Sequence, residues 1–498
     1  MSHYQALLSR LSDVASLREA AAVLGYDQQT AMPPGGVQGR ARQLALLSRL
    51  SHETFTAEET GRLLEAAAAE VGTEGDEDAP RMVRVAREDY AQATKLPTEY
   101  VAAFAQATSL GYQTWVRARQ AKDFAMFAPT LKRLVELARQ GADYLGYDEH
   151  PYDALLGQYE RGMTTRQVAA IFEAHRPALV ELISAIQAAP QVDDSPLRQH
   201  FPIEAQKRFA TEVVQAMGFD FQRGAQAVAV HPFCTSFGVN DVRITTRFDE
   251  NFLSPALFGM IHEAGHGMYE QGSAQELDGT LLAGGTSLGV HESQSRLWEN
   301  MIGRSESFWR WAYPKLQAAF PDQLEDVSLD AFYQAINKVQ PSFIRVEADE
   351  ATYNLHIILR FELEQALLTG DLTVDDLPQA WNDKFSAYFG MTPPDDALGV
   401  LQDVHWSSGL MGYFPTYALG NLLAAQYLAQ ARRAMPSLMD DVAQGQFGGL
   451  LGWLRENIHR HGRKFTSAEL TQRICGEGIN PAPYVAYLQT KYCAIYGL

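Results

Sequence analysis

Ser254-Pro-Ala-Leu-Phe-Gly-Met-Ile-His262-Glu263-Ala-Gly-His266-Gly-Met-Tyr-Glu-Gln-Gly272 is the stretch around which the chain is organised. It reads as a helix with a start and a stop. Ser254 suits the N-cap, Pro255 the first helical position, and Gly272 the residue just past the end. His262 and His266 are four apart, so both imidazoles lie on one face and can close on one metal ion. Glu263 follows the first histidine directly, where its carboxylate reaches a water on the metal rather than the metal itself. The pattern is H-E-x-x-H, the motif of zinc metallopeptidases. A surface helix with two solvated histidines would share it, but Gly265 and Gly267 argue otherwise. Each costs about 1 kcal/mol relative to alanine inside a helix, which makes sense where something must approach the backbone closely.

A catalytic metal site of this kind needs a third protein ligand and an open fourth position. The next helix reads Thr286-Ser-Leu-Gly-Val-His291-Glu292-Ser-Gln-Ser-Arg296-Leu-Trp-Glu299-Asn300, with Thr286 or Ser287 as its cap. Glu292 lies far enough after His266 for a loop and a return helix, so it is the expected third ligand. His291 is adjacent to it and points elsewhere. Read without a metal, Glu292 and Arg296 form an i,i+4 ion pair.

The 498 residues, 46% of them hydrophobic, are ample for a large core. A net charge of −19 argues against phosphate-backbone binding, so no nucleic-acid partner is expected. Three widely spaced cysteines suggest no disulfide framework. The N-terminus lacks a basic start and apolar run, and Met411 to Ala431 reads as a buried helix rather than a span. A cytoplasmic protein without membrane contact is expected.

Residues 1–200 read as nearly all helix, with breaks at Met32 to Gly36, Gly72 to Pro80 and Ala189 to Pro196. Residues 226–248 alternate apolar and polar positions around Gly238 and Asn240 and predict a small antiparallel sheet beside the motif helix. Its edge could take an extended peptide as an added strand. Pro341 to Asp349 is expected to open a helix running to about Leu368, with Arg345 and Asp349 as an intrahelical pair. A second reading gives Arg345 to a substrate's terminal carboxylate. His405, Tyr413 and Tyr417 are residue types able to stabilise an oxyanion.

Six segments in order resemble the pattern of the carboxypeptidase Taq-type metallocarboxypeptidases: His231-Pro-Phe, Asp241-x-Arg243-x-Thr245, His262-Glu-x-x-His266, His291-Glu292-Ser-Gln, Ile344-Arg345-x-x-Ala-Asp349 and Gly399-x-x-Gln-Asp-x-His405-Trp406. Leu24-Gly-Tyr-Asp27-Gln and the C-terminal Lys491-Tyr-Cys-Ala-Ile-Tyr-Gly extend the likeness to essentially the full length. The resemblance implies a mostly α, single-unit helical metallopeptidase (1–498) with a deep groove, similar in architecture to angiotensin-converting enzyme and neurolysin. Residues 1–200 would form one wall, and 201–498 the catalytic part with the sheet and the metal helices. It implies a homodimer that removes single C-terminal residues from peptides with free C-termini, with broad specificity and poor action on proline. A dipeptidyl carboxypeptidase or an oligoendopeptidase would use the same chemistry; a non-catalytic helical binding protein is the remote alternative.

Carried onto this chain, the resemblance makes His262, His266 and Glu292 the ligands of one Zn²⁺, replaceable by Co²⁺, and Glu263 the general base. Arg345 would grip the terminal carboxylate, and His405 with Tyr413 or Tyr417 would stabilise the oxyanion. His231, Asp241 and Arg243 would shape the groove. Distant relatives place an aspartate four residues after the ligand glutamate to orient a ligand histidine; here that position is Arg296, and Asp349 or Glu299 is expected to supply the missing partner.

Overall fold

The computed structural model describes residues 2–498 and is built almost wholly of helices. Local signals set many of their ends. Ser2 caps the helix His3–Thr30 and Thr164 caps Thr165–Ala188, each completed by a glutamine three residues on. The breaks fall where glycine, proline and acidic clusters predict them: the first helix stops at Thr30, Glu58–Val71 gives way to Asp78–Lys95, and Thr165–Ala188 ends before Pro190. No helix among the described residues is long and apolar enough to cross a membrane.

Two hydrophobic cores result. The small one belongs to the first four long helices, where Leu7, Leu11, Val14, Phe55, Leu64, Met82, Val83 and Val85 meet, reached from the rest of the chain by Leu277, Leu281 and Leu282. The large core gathers most of the buried apolar residues from Trp115 to Tyr496. Among the described residues up to 200, Asp194, Leu197 and Arg198 line the large cavity that also borders His262 and His266. The helix Val37–Thr56 turns apolar residues outward, with Leu46 and Leu50 exposed. Ion pairs bind the small body to the C-terminal region: Arg81 and Arg84 both hold Glu469 at 3.1 Å, and Arg463 holds Asp89 at 2.9 Å.

The sheet has three short strands, β1 (Gly224–Val228), β2 (Cys234–Ser236) and β3 (Val242–Thr246), in the order β1-β3-β2. It is mixed rather than purely antiparallel. β2 and β3 form a hairpin across a turn in which Gly238 has φ of +122°, while β1 pairs with β3 in parallel. β2 runs opposite to β1, so β3, inserted between them and antiparallel to β2, runs parallel to β1.

β3 carries the motif helix Ser254–Glu270. Val242 and Ile244 are buried, and Thr246 Oγ1 donates to the Ala256 carbonyl at 3.1 Å, fixing the strand end to the helix's first turn. Gly267 admits the Phe219 ring and the Ile244 methyl, where a Cβ would lie 2.6 Å from Phe219. At Gly265 a Cβ would lie 2.7 Å from Ser295 Cα and 2.8 Å from the Gln294 carbonyl. Those atoms are backbone of the helix Leu288–Arg296, which bears Glu292. Both glycines thus do what their helical positions suggest.

Gly265→Ala should therefore destabilise the fold, by about 1–3 kcal/mol as for other overpacked sites, although alanine favours an isolated helix by about 1 kcal/mol. Thermal unfolding checks this: a raised melting temperature would mean the two helices separate freely.

Candidate metal centre

The two helices bring His262, His266 and Glu292 together, with one donor atom from each within 4.8 Å of the others. Glu292 Oε2 lies 3.6 Å from His262 Nε2 and 3.5 Å from His266 Nε2. The Glu292 helix is seated from three sides. Ser287 caps it by accepting the Val290 N–H at 3.1 Å. Glu160, fully buried, accepts the Gly289 N–H, and burial raises its carboxyl to about 7. Gly420, on the buried helix Pro415–Ala434, lets that helix close onto Glu292, where a Cβ would lie 2.6 Å from Cγ.

The surroundings fix each donor. Arg296 Nε donates to Glu292 Oε1 at 2.7 Å, leaving Oε2 turned to the histidines. The i,i+4 ion pair and the convergence with the histidines therefore coexist. Burial disfavours the charged carboxylate, but Arg296 and then His262 outweigh it and hold Glu292 well below the usual range. His262 Nδ1 meets Glu299 Oε2 at 2.8 Å. Of the two expected partners, Glu299 is thus the one the structure provides. Asp349 instead accepts the backbone N–H groups of Gln340, Ala351 and Thr352. Glu299 lies in a π-helical segment, Leu297–Ile302, that continues the ligand helix. Against the cost of burial, the bond to His262 and the charge of Arg296 hold it at about 2.

Two imidazoles and a carboxylate with their free atoms facing one gap form a donor set that fits a tetrahedral divalent ion with a position left open. Glu263 is buried and faces the same cavity, and burial pushes its carboxyl up to about 7. The cavity measures about 1480 Å³ and runs from Asp194 and Lys338, past the histidines, to Tyr413 and Asn421.

Arg345 lines it too, but not from a helix. Residues 341–352 are irregular apart from a single 3₁₀ turn at Arg345–Glu347, and the helix begins only at Tyr353. The expected partner Asp349 is replaced by Asp403, which Arg345 holds through Nε at 3.1 Å and Nη2 at 2.8 Å. Nη1 donates to the Tyr353 hydroxyl at 2.7 Å. Of the five guanidinium hydrogens, two remain without a protein acceptor. Asp403 also takes the Arg360 Nε at 2.7 Å, so two buried cations share one anion.

The aromatic wall is layered. Tyr413 and Tyr417 line the cavity with ring centroids 5.3 Å apart. His405 lies behind them: its Nε2 is 3.3 Å from the Tyr417 hydroxyl, its ring packs on Phe414, and it does not line the cavity. Burial keeps His405 neutral, at about 4. Three of the expected groove residues lie elsewhere. His231 is exposed, and Asp241 and Arg243 pair with each other at 2.9 Å outside the cavity lining. Arg243 also stacks over Tyr26 and Phe237, so the motifs Leu24 to Gln28 and Asp241 to Thr245 meet where the first helix covers the sheet. Pro232 and Phe233, leading into edge strand β2, and Cys234 at its start do line the cavity.

The model of the carboxypeptidase Taq (M32) metallopeptidases matches residues 6–492. Thermostable carboxypeptidase 1 of Thermus thermophilus is 42% identical, covering 99% of both chains, and carboxypeptidase 1 of Bacillus subtilis is 39% identical, covering 98% of this chain and 97% of that one. Among solved structures, an M32 carboxypeptidase from Deinococcus radiodurans superposes with a TM-score of 0.96 at 42% identity, covering 100% of both chains. A Pyrococcus furiosus carboxypeptidase does so with 0.95 at 36% identity, covering 99% of both.

Asp403→Asn should cost about 3–5 kcal/mol of stability, because it leaves Arg345 and Arg360 buried side by side without their shared anion. Denaturant unfolding monitors this, and a loss under 1 kcal/mol would show that water or another group compensates them.

Proposed function

The chain belongs to the carboxypeptidase Taq (M32) metallopeptidase family, and from that premise we propose how this metal-dependent carboxypeptidase works: His262, His266 and Glu292 hold one Zn²⁺, which Co²⁺ can replace, and Glu263 is the general base. The observation that carries this reading is the convergence of the three donors on one gap, with a buried carboxylate facing the same cavity. A divalent ion held there supplies Lewis acidity, activating water and polarising the scissile carbonyl. Glu263 takes the proton from the attacking water and returns it to the leaving amine.

Arg345 is the group proposed to grip the substrate's C-terminal carboxylate. Its two remaining N–H groups suit that role, and the shared Asp403 leaves the arginine pair with surplus positive charge. Tyr413 and Tyr417 stand on the cavity wall as donors for the oxyanion. His405 acts through Tyr417, as a residue that positions the hydroxyl rather than one that touches substrate. The open edge of β2, whose lead-in residues line the cavity, would pair with the peptide backbone as an added strand. His231, Asp241 and Arg243 receive no direct role at the reacting atoms.

Two measurements test this. Glu263→Gln should keep its metal and lose about 10²–10⁴-fold in kcat; full turnover in a metal-loaded variant removes Glu263 from the role of base. Mass spectrometry of paired free-acid and amidated peptides should show chelator-sensitive trimming of the free acids alone, one residue at a time. Cleavage of the amidated peptides would place the activity with the oligoendopeptidase alternative, and release of dipeptides with the dipeptidyl carboxypeptidase.

A further inference from the structure

His291 lies beside the ligand Glu292 in sequence but faces the other ligand helix. Its Nδ1 is 2.5 Å from His266 Nδ1, and its Nε2 is 2.7 Å from Glu270 Oε1. The positions of the hydrogens along this row follow from elementary valence. A carboxylate oxygen only accepts, so the His291 nitrogen facing Glu270 carries a hydrogen. A neutral imidazole with its hydrogen on Nε2 has a bare lone pair on Nδ1. That atom faces His266 Nδ1, which is the donor in the pairing that a neutral His291 makes. His266 is left with a bare Nε2, the atom turned towards Glu292.

The packing holds this row rigidly. A Cβ at Gly285 would lie 2.7 Å from His291 Cδ2, so the glycine is what lets the ring take its place. The Tyr269 and His266 rings flank His291 at 5.3 and 4.5 Å, and the Tyr269 hydroxyl accepts the Thr286 N–H at 3.2 Å, fixing the loop that carries Gly285. Gly284, next to it, brings the backbone against the Glu270 carboxylate. His262 receives the same instruction from Glu299 in a single step.

We propose that Glu270 and His291 are positioning residues acting in series, which hold His266 in the tautomer whose Nε2 can bind the cation. The proposal rests on His266 being a metal ligand. Without Glu270, His291 is free to carry its hydrogen on Nδ1, which turns His266 Nδ1 into the acceptor and leaves the metal-facing Nε2 protonated.

The test is Zn²⁺ affinity of the full chain, measured by chelator competition, with circular dichroism to confirm folding. His291→Phe should weaken binding about 10–100-fold, the range for partners of metal-binding histidines. Glu270→Met should weaken it in the same direction, while Glu270→Gln, whose amide oxygen still accepts from His291, should restore most of the loss. The double variant His291→Phe/Glu270→Met should bind no more weakly than His291→Phe alone, as series action requires. Affinities within about twofold of the parent in folded His291→Phe, or losses that multiply in the double variant, overturn the proposal. His266→Ala separates the two levels: if it binds Zn²⁺ as tightly as the parent, the ligand assignment itself fails.

Discussion

The close approach of two helices at Gly265 is the constraint on which the rest depends. The motif helix can bring His262 and His266 to Glu292 only because no Cβ stands between its backbone and that of Ser295. Gly420 closes the opposite side of the Glu292 helix in the same way. The donors are thus set by backbone spacing, and the side chains have little freedom to correct an error in it. Sites carried on packed helices gain their geometric tolerance from this kind of support.

Electrostatics then decides what the converged atoms can do. The charges around the ligands Glu292 and His262 are matched in a definite direction. Arg296 takes one oxygen of Glu292 and leaves the other facing the imidazoles, Glu299 takes one nitrogen of His262, and the pair Arg296 and Arg304 attends Glu299 in turn. Burying an unmatched charge is expensive, so a network of this density is stable only as a whole. Arg345 and Arg360 around Asp403 are the exception, two cations on one anion, and Arg345 borders the cavity where an anionic chain end is proposed to dock, with Arg360 buried behind it.

Much of this was legible in the sequence because it is local. The i,i+4 histidines, the glycines among them and the capped helix carrying Glu292 are short-range patterns, and the three donors meet as those patterns predict. What the sequence withheld depends on contacts between distant segments. Asp403 is 58 residues from Arg345, so the helical spacing to Asp349 offered a nearer but wrong partner. No residue pattern announces the π-helical segment that holds Glu299, nor that His291 faces His266 across the helix pair. The parallel pairing of β1 arises from the direction and order of all three strands, which a five-residue strand does not encode. His231, Asp241 and Arg243 were grouped with the groove by motif alone; the latter two serve the seam between the first helix and the sheet.

The central claim is that two imidazoles and one carboxylate from neighbouring helices bind a single ion. X-ray absorption spectroscopy of the Zn²⁺-loaded chain tests it directly. The account predicts one equivalent of zinc in a mixed first shell with two imidazole nitrogens, recognisable by their multiple scattering, completed by oxygen. A shell of oxygen alone, or one containing sulfur, would contradict it.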